Sequence, residues 1–286
     1  MLAKMPPWIR VKGVDEKALS TMKEKLDALN LHTVCESAVC PNVGSCFKRG
    51  TATFMILGDI CTRNCGFCNV KHGTPLPPDP DEPARVAEAA KELNLNHVVV
   101  TSVTRDDLND GGAFAFALTT RWINQLLPHA STDLLIPDLH GSRDNVAVVV
   151  EANPTILAHN LETVPRLYSL ARKQADYLRS LSVLKMVKEI KPAIYTKSGI
   201  MVGLGESFTE VLEVMEDLLN VNCDFLTIGQ YLKPGAKNIA VQEFIHPEIF
   251  ERVKIVGEEM GFKYVASAPF VRSSFHAEEA LKHIRV

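Results

Sequence analysis

Six of the seven cysteines in this 286-residue chain lie between Cys35 and Cys68, and only Cys223 stands apart. That crowding limits the possible folds more than any other feature. A disulfide framework would spread its bridges over the structure, and a chain long enough to bury a substantial core does not need such staples. Thiols gathered in one short segment point to metal instead. Cys61, Cys65 and Cys68 form C-x3-C-x2-C, and Cys35, Cys40 and Cys46 form C-x4-C-x5-C upstream. Three thiolates can hold three irons of a cubane cluster while leaving the fourth iron open to a substrate or cofactor, whereas an electron-transfer cluster is normally held by four. Zinc is the alternative: Cys61, Cys65, Cys68 and His72 would make a tetrahedral set, and His32 is the nearest fourth ligand for the upstream triad. Closed zinc sites more often come as pairs of C-x2-C knuckles, a form neither triad has. Cys223, between a helix and a strand, reads as a small buried hydrophobe.

Around the cysteines the patterning is regular. Asp15 to Asn30 sets Leu19, Met22, Leu26 and Leu29 at helical spacing with Asp15 as cap, and a cysteine-rich loop segment follows. From Thr51 onward, short apolar runs alternate with amphipathic stretches. Strands are expected at Thr53–Leu57, His97–Ser102, Leu134–Pro137, Thr155–His159, Ile194–Met201 and Phe225–Gly229. Helices are expected at Glu82–Leu93, Ala113–Leu127, Arg143–Val150, Val164–Lys191 with a break near Ala175, Thr209–Asn220 and Pro247–Met260. The five prolines between Lys71 and Pro83 demand an extended connection. Six strand–helix units predict an α/β fold, a partial (β/α)6 parallel barrel, with chemistry at the carboxyl ends of the strands. The expected division is an N-terminal extension over 1–50, the barrel over 51–262 and a C-terminal segment over 263–286.

The polar and glycine-rich motifs fall on that rim. Gly203-Leu204-Gly205-Glu206 reads either as a turn before a helix capped by Ser207 or as a place where backbone approaches a cofactor and Glu206 holds its polar groups. Asn160 and Glu162 read as cofactor contacts or solvated loop polars, and Arg105, Asp106 and Asp107 as cofactor contacts or caps of the next helix. His159 reads equally as a satisfied strand-end histidine. With 31 basic against 34 acidic residues the net charge is -3, which argues against a nucleic-acid partner held by a broad basic surface. No apolar run approaches the roughly 20 residues of a membrane span, and Met1–Arg10, with Pro6, Pro7 and Trp8, does not read as a secretory signal. A cytoplasmic setting is expected.

C-x3-C-x2-C with an aromatic before its last cysteine, Phe67-Cys68, resembles the signature of the radical S-adenosylmethionine family. The second triad narrows the resemblance to a sulfur-inserting branch, and further matching segments run almost the whole chain: Pro7-Trp8-Ile9-Arg10, CESAVCPN at 35–42, VTRDDLNDGGA at 103–113, HNLETVPRL at 159–167, KSGIMVGLGE at 197–206 and VRSSF at 271–275. The resemblance implies a sulfurtransferase of lipoate biosynthesis that inserts two sulfur atoms at C6 and C8 of a protein-bound octanoyl group. Such C–H bonds are essentially non-acidic, so radical chemistry is required.

It further implies two 4Fe-4S clusters and S-adenosylmethionine as cofactors, the cluster on Cys61, Cys65 and Cys68 binding S-adenosylmethionine. The terminal extensions hold the auxiliary cluster, a consumed sulfur donor on Cys35, Cys40 and Cys46 with a serine oxygen as fourth ligand. Ser274 is favoured for that ligand, with Ser273 in reserve; the alternative is that both hydroxyls bond turn backbone. Phe67, Asn160, Glu162, Gly203 and Glu206 are the implied cofactor contacts. The implied partners are an octanoylated lipoyl carrier domain or protein, an electron donor such as ferredoxin or flavodoxin, and cluster-assembly proteins. The chain departs from the family pattern at Phe275, where tyrosine is usual, before Cys46, where glutamate is usual, and at Asn238-Ile239-Ala240, where His-Leu-Pro is usual. Two other readings stand beside this one: a different radical enzyme that inserts sulfur or thiomethyl groups, and a zinc-stabilised binding protein.

Overall fold

Alternation of apolar runs and amphipathic stretches becomes a repeated strand–helix chain in the computed structural model, which describes residues 5–9, 16–48, 52–274 and 278–284. The expected Asp15 cap, Arg10 and Phe275 lie outside the described residues. The chain forms two compact units.

The first unit comprises Val11–Arg63 and Asn69–Leu157. In chain order it contains α1 (Glu16–Ala28), β1 (His32–Thr33), α2 (Val34–Ser37), α3 (Val43–Lys48), β2 (Thr53–Ile56), β3 (Ile60–Cys61), β4 (Lys71–His72), α4 (Glu82–Glu92), β5 (His97–Ser102), α5 (Ala113–Leu126), β6 (Ser131–Leu135), α6 (Arg143–Glu151) and β7 (Ile156–Ala158), the last ending at its border. Its strands follow the order β1-β2-β5-β6-β7. Only β1 is antiparallel, His32 facing Met55, while β2 and β5 run parallel with Thr53 beside Val99, and β5 and β6 with His97 beside Ser131. Parallel strands covered by helices must be apolar on both faces, and every residue of β2 is buried. In α5, Phe116, Ala117, Thr120 and Ile123 recur at helical spacing and are fully buried. Each large side chain of this kind, such as Phe54 or Ile123, contributes about 1.5–3 kcal/mol through burial.

The second unit comprises Met1–Arg10, Asn64–Cys68 and Ala158–Val286. It holds α7 (Tyr168–Ala171), α8 (Tyr177–Ile190), β8 (Tyr195–Val202), α9 (Phe208–Asn220), β9 (Phe225–Gln230), α10 (Pro247–Met260), β10 (Tyr264–Ser267) and α11 (Glu278–Ile284). Strands β8, β9 and β10 are parallel, with Lys197 beside Phe225 and Tyr264 beside Phe225. Val211, Val214, Met215 and Leu218 of α9 form the buried stripe against them. Ser207 caps α9 as expected: its hydroxyl accepts from Glu210 N–H, and the Glu210 carboxylate accepts from Ser207 N–H at 2.8 Å.

Three expectations are corrected. The cysteine-rich segment is not a loop but two short helices, because Thr33 caps α2 by accepting from Glu36 N–H and donating to the Glu36 carboxylate at 3.0 Å. The helix expected from Val164 to Lys191 breaks, as foreseen near Ala175, at Arg172–Ala175, where Asp176 caps α8. It also begins as a separate 3-10 turn at Pro165–Leu167. Finally β10 is an unforeseen strand parallel to β9, hidden in the sequence by being four residues long and close behind the left-handed Gly261 that ends α10.

Candidate functional site

The C-x3-C-x2-C loop starts in the first unit, which holds Cys61 through Arg63. Strands β3 and β4 run parallel, setting Cys61 beside His72, and Gly73 N–H donates to Cys61 O at 3.0 Å, so the two ends of the loop are stitched together. The Cys61 sulfur accepts N–H groups from Arg63 at 3.4 Å and Thr104 at 3.3 Å. Donors aimed at a ligating sulfur stabilise its anionic form and tune a bound cluster. Thr62 N–H and Oγ1 both donate to Thr104 O at 3.0 Å.

Arg63 is the anchor of this half of the loop. Its guanidinium is buried and forks onto two carboxylates, Nε and Nη2 donating to Asp106 at 2.8 and 2.7 Å, and Nη1 and Nη2 to Asp138 at 2.9 and 2.8 Å. Burial opposes its charge, but the hydrogen bonds to Asp106 and Asp138 outweigh that and hold it above its ordinary value. Asp106 thus grips the cysteine loop and does not cap α5. Arg105 pairs with Asp107 at 2.8 Å and donates to Leu57 O, and it is Asp110 that accepts from Phe114 N–H at the start of α5. Arg63 and Asp138 carry no signal in the sequence beyond lying on two predicted rim loops.

Asn64–Cys68 belong to the second unit. Asn64 N–H donates to the Gln174 side chain at 2.8 Å, Gly66 N–H to Ala171 O at 2.9 Å, and Cys68 N–H to Cys65 O at 3.1 Å. Phe67 is half-buried and packs against the apolar cluster of that unit. On the far side, Asn238 donates to Gly66 O and Cys68 O.

The rim residues of the second unit form one network. Asn160 Nδ2 donates to Glu162 Oε1 at 3.0 Å and to Ser273 Oγ at 2.8 Å, and Ser273 Oγ donates back to Asn160 Oδ1 at 3.1 Å. Lys197, buried, donates to Ser273 O at 3.0 Å. Arg172, also buried, supports the turn from behind through Asn160 O at 2.8 Å. Burial pushes the Glu162 carboxyl up from its ordinary value, opposed by Arg172, and Glu162 holds a left-handed backbone at φ 68°. A Cβ at Gly199 would lie 2.7 Å from Thr227 Oγ1 and 2.9 Å from Ser273 Oγ, and one at Gly229 would collide with Val271 O. Only glycine at these strand positions admits the Val271–Ser274 segment. Glu206 turns its carboxylate onto the N–H groups of Gly203 and Leu204, and burial pushes that carboxyl up. Gly203, at φ 100°, faces the Gln230 side chain and Glu243 O. His159 is buried within this unit, its N–H donating to Lys197 O at 3.0 Å.

The upstream triad lies in the first unit, with Cys35 buried in α2, Cys46 in α3 and Cys40 between them. Cys40 N–H donates to Cys35 O at 3.0 Å and Cys46 N–H to Asn42 O at 2.9 Å. Burial pushes the Cys35 thiol up to about 12, and the neighbouring Cys40 and Cys46 add to the rise. No disulfide joins any of the seven cysteines. Cys223 is buried, as read from sequence, and burial pushes its thiol up to about 12.

This donor set fits iron–sulfur clusters: two groups of soft thiols, one with N–H groups already aimed at its sulfur. Among the described residues no three His, Cys, Asp or Glu side chains are gathered around the position of a single ion. In a cubane each thiolate takes a different iron. Among the described residues no helix is long and apolar enough to cross a membrane.

Loop and fold together define a class. The sequence pattern of the Radical SAM superfamily matches residues 55–218. The crystal structure of methylornithine synthase superposes with a TM-score of 0.57 at 12% identity, over 84% of this chain and 75% of that one, which carries the fold: α/β, a partial (β/α)6 barrel of the radical SAM type. "Lipoyl synthase" of Caldanaerobacter subterraneus subsp. tengcongensis is 55% identical over 285 residues, covering all of both chains, and "Lipoyl synthase" of Caldicellulosiruptor saccharolyticus is 53% identical over 284 residues, covering 99% and 100%. The chain belongs to the lipoyl synthase family of radical SAM enzymes. Its cofactors are accordingly S-adenosylmethionine and 4Fe-4S clusters.

Proposed function

We propose that this chain converts a protein-bound octanoyl group to a lipoyl group by inserting sulfur at C6 and C8. The observation that carries the reading is the presence of two cysteine triads without disulfides in one chain, one in a loop pinned by Arg63 and one in the α2–α3 segment; full-length identity to lipoyl synthases supports it. A cluster on Cys61, Cys65 and Cys68 with S-adenosylmethionine supplies the one-electron chemistry that non-acidic C–H bonds need. The chain's own residues keep that loop in place. Arg63 fixes the Cys61 end against Asp106 and Asp138, and Phe67 packs the other end on the apolar cluster. Asn160 and Glu162 bind polar groups of S-adenosylmethionine, and Glu206 holds the Gly203–Gly205 turn open to it by tying down its N–H groups.

Cys35, Cys40 and Cys46 hold the cluster that gives up sulfur. Ser274 is its fourth ligand: the Ser273 hydroxyl is engaged with Asn160, which leaves Ser273 second. A hard oxygen among soft thiolates is the labile position such a cluster needs. The three-part division 1–50, 51–262 and 263–286 follows these roles. The substrate is an octanoylated lipoyl carrier domain, the electron donor a ferredoxin or flavodoxin, the cluster supply an assembly protein, and the setting the cytoplasm. The test is anaerobic iron and sulfide analysis with an octanoyl-lysine peptide assay. About eight irons with equal sulfide and a dithiolated product are expected; zinc without sulfide, or no dithiolated product from fully loaded protein, overturns the reading.

A further inference from the structure

We propose that Asn238 is a positioning residue for the cysteine loop, its amide fixing two main-chain carbonyls of the short segment that carries the Cys65 and Cys68 thiolates. The inference rests on the reading of that loop as a cluster site. Asn238 Nδ2 lies 2.8 Å from Cys68 O and 3.3 Å from Gly66 O. Both acceptors are carbonyls, so the NH2 group must face them, and its two N–H bonds serve one each. Cys68 O is the carbonyl of a ligand itself; Gly66 O stands between the two ligands. Fixing both orients the Cys68–Asn69 peptide plane, on which the Cys68 side chain is mounted, and the Gly66–Phe67 plane in the short span between the two cysteines.

The clamp has its own support. Asn238 N–H closes a turn onto Gly235 O at 3.2 Å, Ile239 N–H adds a second bond to Gly66 O at 3.0 Å, and Tyr231 Oη donates to Ile239 O at 2.8 Å. Opposite, Gly66 N–H is held by Ala171 O, and a Cβ at Gly66 would lie 2.8 Å from Leu170 O and 3.0 Å from Ile239 Cγ2. The segment is gripped on both sides with no room to shift. Asn238 is also where the chain departs from the His-Leu-Pro usual in the family. An imidazole nitrogen offers one N–H toward a given side, whereas the amide offers two from one atom. The departure is therefore a replacement that holds both carbonyls.

The test uses full-length protein carrying Cys35→Ala, Cys40→Ala and Cys46→Ala, so that only the downstream triad can load. This background must first bind about four irons with matching sulfide; if it does not, the cluster reading of the loop fails, whatever Asn238 does. Asn238→Leu, which removes the donors, and Asn238→Asp, which faces the carbonyls with a carboxylate, are then compared with Asn238→His. Loss of two part-buried hydrogen bonds is expected to speed iron release to bathophenanthroline roughly tenfold. It should also change the EPR line shape of the reduced cluster, with Asn238→His intermediate. Unchanged release and line shape in Asn238→Leu overturn the proposal. So does an equal acceleration of iron loss from both clusters when the same substitution is made in the otherwise native holoprotein, since that marks general loosening.

Discussion

The two cysteine segments are built on different principles. The downstream loop is held by residues distant in sequence: Thr104 and Asp106 lie 43 positions from their partners, Asp138 lies 75 away, and Asn238 lies 170 and 172 away. The upstream segment draws on nearer partners, Thr33 on Glu36, Cys40 N–H on Cys35 O and Cys46 N–H on Asn42 O, with Thr53 against the Cys35 thiol and Asn69 reaching Ser37 O at 3.4 Å. Long-range partners fix each end of the loop in the frame of its own unit, so its geometry survives local fluctuation. Local partners make a segment that can open by itself. On the proposed roles, a centre that must present one open iron turn after turn needs the first kind of support, and a cluster that is dismantled and rebuilt is better served by the second.

That contrast can be broken by experiment. Cys61→Ala should bring the largest change, complete loss of 5′-deoxyadenosine in an assay with reductant and S-adenosylmethionine; retained formation would remove the loop from the chemistry. Cys40→Ala should stop dithiolated product while sparing part of the deoxyadenosine, and equal loss of both would erase the division between the segments. Arg63→Met strands the buried Asp138 carboxylate, with a cost of about 3–5 kcal/mol in urea unfolding; a loss under 1 kcal/mol would show that the fork does not anchor the fold. Gly199→Ala, which drives a methyl into Ser273 and Thr227, should cost about 1–3 kcal/mol and raise hydrogen exchange across 268–274. Unchanged exchange there would mean that the glycine hollow does not seat the segment.

What could be read in advance follows periodicity. Helix α10 appears at its expected bounds, and β5 likewise, because each is set by a local pattern: Pro247 at the first turn and Gly261 past the end, or an unbroken Val-rich run. Both triads were legible because cysteine spacing is local too. Arg63, Asp138 and Asn238 were not read as parts of the site, since their partners lie far along the chain and nothing in the neighbouring residues marks them. Of the two roles read for Asp106, the cap is not the one it plays, for an acidic residue ahead of a helix looks like a cap until its distant arginine is known. The α2 and α3 helices escaped because four and six residues leave too few turns for a period to register.

The hollows beside Gly199 and Gly229 have a bearing on biosynthesis. Their filling, Val271–Ser274, is synthesised after both strands that carry them, so each hollow exists before the segment that occupies it. An emerging chain therefore offers the downstream cysteine triad before this piece can settle. Any change to 271–274 should be judged first by whether the segment still reaches its seat.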